Sequence, residues 1–278
     1  MMVKSWSRRA GALALASVLG GSPLPAQQYW PDRTDGTVVR ADFLKPFFKE
    51  EGFQFLSGVA FFSGSGPIGK NLRIEADVPL VRAGVSVAPL PSESSLRLGN
   101  PYVGLRIHRA GRPLAGYFGV RLPLASDPTS DAGYRAMAVG ALSDFDRFEA
   151  FLPKVFTVRT GVELRSVSPG GMLIGAKIGP SLLVSTEGGG DDAELFADYG
   201  VQGGYEGAAV RATVGITGRL LATEEGGSFA DRTEHVITGT VELRRGTVRP
   251  SLLIRMPLDK SVRELTSLTM GFGLAIVL

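Results

Sequence analysis

Cysteine is missing from all 278 residues. Its absence excludes a disulfide scaffold, a thiolate-ligated metal and a lipid-modified N-terminal cysteine. Histidine occurs only at His108 and His235, so imidazole chemistry has at most two centres. Aromatic residues make up 8% of the chain, which allows only a thin interfacial girdle. Past the N-terminal region, nothing approaches the roughly 18 uninterrupted apolar residues of a transmembrane helix. Net charge is scarce as well. The formal +3 equals the contribution of Lys4, Arg8 and Arg9, which precede the apolar run from Ala10 to Gly21 and then SPLPAQQ. That charged, apolar, polar order is the order of a secretory signal peptide. Cleavage is expected after Ala26, giving a leader at 1–26 and a short periplasmic segment at 27–36. The chain that remains is formally neutral, which argues against nucleic acid as a partner.

What the sequence does have is alternation. Glycine is plentiful, at 37 residues, and most of the chain from Thr37 onward repeats with period two, the mark of strands with two unlike faces. NLRIEADVPL from Asn71 sets Leu72, Ile74, Ala76, Val78 and Leu80 against Arg73, Glu75 and Asp77. VFTVRTGVELR from Val155 sets Phe156, Val158, Thr160, Val162 and Leu164 against Arg159, Glu163 and Arg165. SLTMGFGLAIVL alternates Leu268, Met270, Phe272, Leu274, Ile276 and Leu278 with smaller residues. Connections alternate too, short near Gly111, Gly170, Gly207 and Gly246, long and polar between. Short turns at one end and long loops at the other predict a transmembrane antiparallel up-and-down β-barrel over 37–278, with the short turns facing the periplasm. Counting back from the C-terminus gives eleven strands, starting with FQFLSGVAFF from Phe53. An exported N-terminus requires an even number, and TVVRADF from Thr37 supplies the twelfth. Pro180 falls inside a strand and predicts a bulge there.

An Arg on the lipid face near the midplane costs roughly 2–4 kcal/mol, so charges collect on the lumen face. The predicted lumen cations are Arg73, Arg106, Arg121, Arg159, Arg165, Lys177, Arg211, Arg219, Arg244, Arg249 and Arg255. Facing them are Glu75, Asp77, Glu163, Asp198 and Glu242, a surplus of six positive charges. His108 shares that face. These charges either pair with one another and solvate the wall or favour anionic, carboxylate-bearing solutes. A soluble β-sandwich or lipocalin-like barrel shares the period. The continuous apolar face exceeds what a small core needs, and that favours the membrane.

Other motifs reduce to ordinary structure. GSGPIG at Gly64–Gly69 fits the dinucleotide spacing, but a strand pattern follows where a helix is required, so the glycines read as a turn. EGGGDD near Asp191 lacks EF-hand spacing and reads as a solvated loop. No cofactor or metal is called for, and no catalytic residues are singled out. The long connection 125–153 carries Met137, Ala141, Phe145, Phe148 and Leu152 at helical spacing, with Asp131 as a potential cap. It predicts either a loop helix folded into the barrel mouth or a packed surface loop.

LGNPYVGLRI followed by GYFGVRLPL resembles the transporter-type outer-membrane barrels grouped with the MetA-pathway-of-phenol-degradation family. Gly99, Asn100, Arg121, Leu122 and Pro123 match its motif, while Leu124 and Ala125 stand where Thr-Gly is usual. The resemblance implies passage of small, hydrophobic or aromatic compounds. GFGLAIVL resembles the C-terminal strand read by the barrel-assembly machinery, with Leu278 in place of the usual aromatic. The expectation is an outer-membrane channel of a Gram-negative-type bacterium, surrounded by lipid, passing small solutes through a narrow, net-positive lumen. A closed structural or surface-interaction barrel and a barrel hydrolase using His108 or His235 are the alternatives.

Overall fold

The computed structural model describes residues 36–49, 53–54, 56–85, 93–109, 111–187, 193–223, 229 and 232–278. The expected leader, the segment at 27–35 and all of EGGGDD except Glu187 lie outside them.

The strands are β1 (Val38–Phe48), β2 (Gly58–Pro67), β3 (Leu72–Val85), β4 (Glu93–Leu98), β5 (Tyr102–His108), β6 (Leu114–Arg121), β7 (Val155–Val167), β8 (Met172–Ser185), β9 (Ala193–Glu206), β10 (Val210–Leu221), β11 (Thr233–Leu243), β12 (Val248–Pro257) and β13 (Thr266–Val277). β4 and β5 lie end to end along β3, against Leu80–Val85 and Leu72–Asp77 respectively. They are two halves of one spanning strand, broken at Gly99–Pro101, so the thirteen segments make twelve strands. β13 pairs with β1 and β2 pairs with β3, and the sheet closes. Closure removes the sheet's edges, which hydrocarbon requires because it offers the backbone no partner.

The two faces differ as the period demands. On β3, Ile74 and Val78 point outward and are exposed, while Arg73 and Asp77 point inward and are buried. β8 turns Ile174, Ile178 and Leu182 out, and β13 turns out Met270, Phe272, Leu274 and Ile276. Ile178 is 59% exposed and Arg121 is 1% exposed. A water-soluble protein would reverse that order, so the outer surface is a lipid surface.

Three local expectations need correction. Pro180 causes no bulge. The β7–β8 register is the same on both sides of it, and pairing lapses at Thr160–Gly161, where proline offers no N–H. The GSGPIG glycines are only partly a turn, since Gly64–Pro67 completes β2. Asp131 is not the cap of the connecting helix. α1 spans Asp131–Ser143, and the Ser130 hydroxyl accepts from Gly133 N at 3.2 Å. Asp131 is the first helical residue, where its charge still suits the helix dipole. A 3-10 segment, Phe145–Phe151, follows directly, and a short α2 (Lys260–Leu265) lies between β12 and β13.

The stretch 131–151 is not a surface loop. β6 stops at Arg121 and the chain turns inward, carrying α1 and the 3-10 segment into the extracellular half of the lumen. Ala136, Met137 and Val139 of α1 and Phe151 form one cluster with Leu44, Val59, Phe61 and Val81 from β1, β2 and β3. Phe151 packs against Gly140, where any side chain would collide with the ring. The lumen wall therefore has an apolar quarter, on β1–β3, that the alternation of charges does not announce.

Candidate functional site

The lumen is the candidate site, and its charges fall into two tiers. In the periplasmic tier, wall pairs with wall. Arg106 Nε meets Glu75 Oε1 at 2.8 Å, and its Nη1 also pairs with Glu163. Arg40 reaches Asp42 at 2.7 Å and, across β13 and β12, Glu242 at 3.2 Å; Arg211 shares Glu242 at 3.2 Å. Arg165 pairs with Glu206, which Arg244 also approaches at 3.3 Å. Arg73 donates to Gly36 O at 2.8 Å. Arg249 projects inward on β12, half-buried.

In the extracellular tier, wall pairs with the inward segment. Arg255 of β12 pairs with Asp144 and lies 3.7 Å from Asp146. Lys177 of β8 lies 3.9 Å from Asp146. Arg159 of β7 reaches Glu149 at 3.2 Å and donates to Asp146 O at 3.0 Å. Arg219 of β10 lies 3.5 Å from Glu149, and Arg121 of β6 lies 3.8 Å from it. Two wall carboxylates share the work, Asp77 on Arg121 at 2.9 Å and Asp198 on Arg159 at 2.9 Å and on Arg219. Arg147 folds back onto Asp144 at 2.7 Å, with its guanidinium 3.4 Å from the centre of the Phe61 ring.

Two carboxyls of the segment, two residues apart, sit in opposite electrostatic settings. Burial alone would raise Asp144, but Arg147 and Arg255 outweigh it and hold the group at about 2. Asp146 is pushed up to about 7 by burial, against the pull of Lys177 and Arg255 and with Asp144 adding to the rise. The difference is contact. Asp144 accepts from Arg255 and Arg147, whereas neither oxygen of Asp146 has a hydrogen-bond partner.

Asn100 fastens the segment to the wall. It is fully buried at the β4–β5 break, and its amide donates to Leu152 O at 2.7 Å and Glu149 O at 3.0 Å. Its side-chain oxygen accepts from Ala125 N at 2.7 Å, so one residue holds both ends of the inward excursion. Neighbouring Gly99 is pressed against Ala150 O and the Phe151 ring, leaving no room for a Cβ. Sequence reasoning flagged this pair only as a motif match, with no role attached.

Other residues escaped it altogether: Arg40, Asp42, Asp144, Asp146, Arg147, Glu149, Glu206 and Glu234 lie within the lumen. Adding these eight to the predicted set lowers its positive surplus from six to two. The two histidines are far apart in role. His108 is half-buried at the periplasmic end of β5, its N–H bonded to Asn71 O at 2.9 Å. His235 lies on the outer face, 2.8 Å from Tyr199 Oη and 3.5 Å from Asp259.

No family model matches the chain, and no curated protein matches it in sequence. Among solved structures, the COG4313 outer membrane channel from Pseudomonas putida F1 aligns with a TM-score of 0.63 at 9% identity, over 90% of this chain and 100% of that one. The translocator domain of the autotransporter NalP from Neisseria meningitidis gives 0.52 at 11% identity, over 99% and 95%. The NanC porin gives 0.52 at 6% identity, over 87% and 100%. These likenesses are of fold: the chain is a closed outer-membrane-type barrel, the architecture of transporter-type channels among others.

Proposed function

We propose that this protein is an outer-membrane channel for small solutes, closed in this conformation by its own segment 131–151. The carrying observation is the way that segment is held. No strand ladder joins it to the wall; apolar contact, side-chain ion pairs and the Asn100 hydrogen bonds do. Such an element can leave the lumen without breaking a single strand pairing, as a gate must. Arg121, Arg219 and Arg255 are 1–2% exposed, so the lumen at their level is filled by protein rather than water. When the segment leaves, Asp144, Asp146, Glu149 and Arg147 are removed from that count, and the surplus positive charge on the wall rises from two to four. A positive ring favours anions over cations by direct electrostatics. The solutes it suits are small, with an anionic group or an aromatic body. The exported chain would present β13 to the barrel-assembly machinery, and β13 is the strand that closes the barrel on β1.

Planar-bilayer recording tests this reading. The intact protein is expected to give brief, small current steps. A variant with 131–151 replaced by a short Gly-Ser linker is expected to conduct continuously, with a mean current larger by about tenfold or more, since a charged and filled lumen becomes a wet one. Heat-modifiable gel migration confirms that each protein has folded as a barrel. Electrical silence from both folded proteins would favour the closed structural barrel, with the outer loops as its working part.

A further inference from the structure

Three guanidiniums from three strands converge on one carboxylate of the gate. Glu149, fully buried, has Arg159 Nη1 at 3.2 Å, Arg219 Nη1 at 3.5 Å and Arg121 Nε at 3.8 Å. Among the described residues the wall pairs two acids with these arginines, while Glu234 of β11, opposite Arg219 and buried on the same face, makes no side-chain hydrogen bond. Asp77 takes Arg121 through both nitrogens, at 2.9 and 3.3 Å, and Asp198 is shared by Arg159 and Arg219. Glu149 brings the third negative charge. Without it the three arginines and their two paired wall acids keep one positive charge, which matches the charge of one carboxylate.

The fit of Glu149 is right in charge and loose in geometry. Its Oε2, Arg121 Nε and Arg219 Nη1 all lack a hydrogen-bond partner although the groups face one another. The Glu149 backbone is tethered, its carbonyl accepting from the Asn100 amide at 3.0 Å. A free carboxylate has no such tether and can settle into the paired geometry that guanidinium forks favour. The surroundings also select for a body. Phe196 of β9 lies 5.0 Å from the Arg219 guanidinium, and Tyr102 of β5 lies 5.5 Å from that of Arg121. Both rings belong to the wall and stay when the gate moves. Phe148, which meets Phe196 edge-to-face at 6.1 Å, leaves with it.

We propose that Arg121, Arg159 and Arg219 form a binding site for the carboxylate of a small aromatic or apolar acid, and that Glu149 occupies it in the closed state. The proposal rests on reading 131–151 as a movable gate, and it adds the substrate class and a reason for the gate to open. The acid and Glu149 compete for one place, so the solute that fits best also displaces the plug.

Titration calorimetry on the full-length protein in detergent, with benzoate as probe and benzyl alcohol as its uncharged counterpart, tests the site without requiring conduction. Glu149→Gln keeps the shape and removes the competing charge. It is expected to bind benzoate about tenfold or more tighter than the intact protein, on the scale of a charge-assisted pair, and to ignore benzyl alcohol. Adding Arg219→Gln restores neutrality and is expected to cancel the gain. Equal binding by the intact protein and Glu149→Gln, or equal binding of benzyl alcohol, overturns the proposal. Should Glu149→Gln fail to fold, bilayer recording of the intact protein decides. Millimolar benzoate must raise the opening frequency where benzyl alcohol does not. Currents indifferent to benzoate would sink the site and leave the channel. Tight benzoate binding by a silent barrel would do the reverse.

Discussion

The two tiers of the lumen are built from the same residues and behave as different materials. In the periplasmic tier, Arg106, Glu75 and Glu163 are all carried by strands, as are Arg211 and Glu242. Their positions are fixed by the sheet, and the pairs can separate only if the wall deforms. In the extracellular tier the arginines are equally well buried, but three of the five acids paired with them come from a segment outside the sheet. The lesson is that charge pairing inside a barrel can be either wall or latch. Which it is depends on whether both partners sit in the ladder.

Matched substitutions break the comparison most sharply. Arg255→Gln leaves Asp144 buried with Arg147 as its remaining guanidinium, and removing one partner of a buried pair costs roughly 3–5 kcal/mol. That cost falls on the seated gate, so opening frequency in bilayers is expected to rise steeply with little change in the heat-modification temperature of the barrel. Arg211→Gln should do the opposite. Arg40 still reaches Glu242, so the loss is about 1.5–3 kcal/mol, taken from the wall; the barrel melts earlier and gating is unchanged. If Arg211→Gln opened the channel as readily as Arg255→Gln, the two tiers would be one.

Asn100→Ala comes next in size. It leaves Leu152 O and Ala125 N without the Asn100 side chain and Glu149 O with only the Leu152 N–H, a loss of about 1–3 kcal/mol that again falls on seating. Protease sensitivity of 131–151 in the folded barrel should increase, and Asn100→Asp should not rescue it, because a carboxylate cannot donate to those carbonyls.

The smallest effect is on pH. Asp146 is raised to about 7 when seated, and a released, solvated carboxyl returns toward 3.8. The seated state therefore holds the proton more tightly, and rising pH between about 4 and 7 favours release, by at most about 1.4 kcal/mol per pH unit. Opening frequency is expected to increase from pH 5 to pH 7 and then level off. Asp146→Asn should flatten that slope. Asp144, held down to about 2, loses its contribution only as pH falls below its ordinary value of 3.8, outside this window.

Much of this was legible in the residues. Arg73, Asp77, Arg159 and Glu163 announce an inner face because period two leaves them one side to occupy. Twelve strands followed from the parity of turns and loops, even though the fourth is broken at Gly99–Pro101 in the structure. The interior of the lumen was not legible in the same way. Helical spacing in 125–153 is identical for a surface helix and a buried one, and only the third dimension shows that Met137 meets Phe61 and Val81. Leu44, Phe61 and Val81 point inward at the same period as the charges, so alternation counted them as wall without revealing a dry quarter. Asp144, Asp146 and Glu149 lie outside any strand, and no register could pair them with Arg255 or Arg219. That omission, offset by Arg147, accounts for half of the fall from the expected surplus of six to two; the strand residues Asp42, Glu206 and Glu234, offset by Arg40, account for the other half.

The latch has a consequence for how the molecule is made. Asp144 is 111 residues ahead of Arg255 along the chain, and the partners on β10 and β12 are laid down long after 131–151. During assembly the segment has half a socket at best. The socket is complete only once the barrel has closed on β1, so the segment is expected to seat last. That final step is the meeting of opposite charges already held on one frame. Its rate should fall as salt is added, unlike the zipping of strands that precedes it.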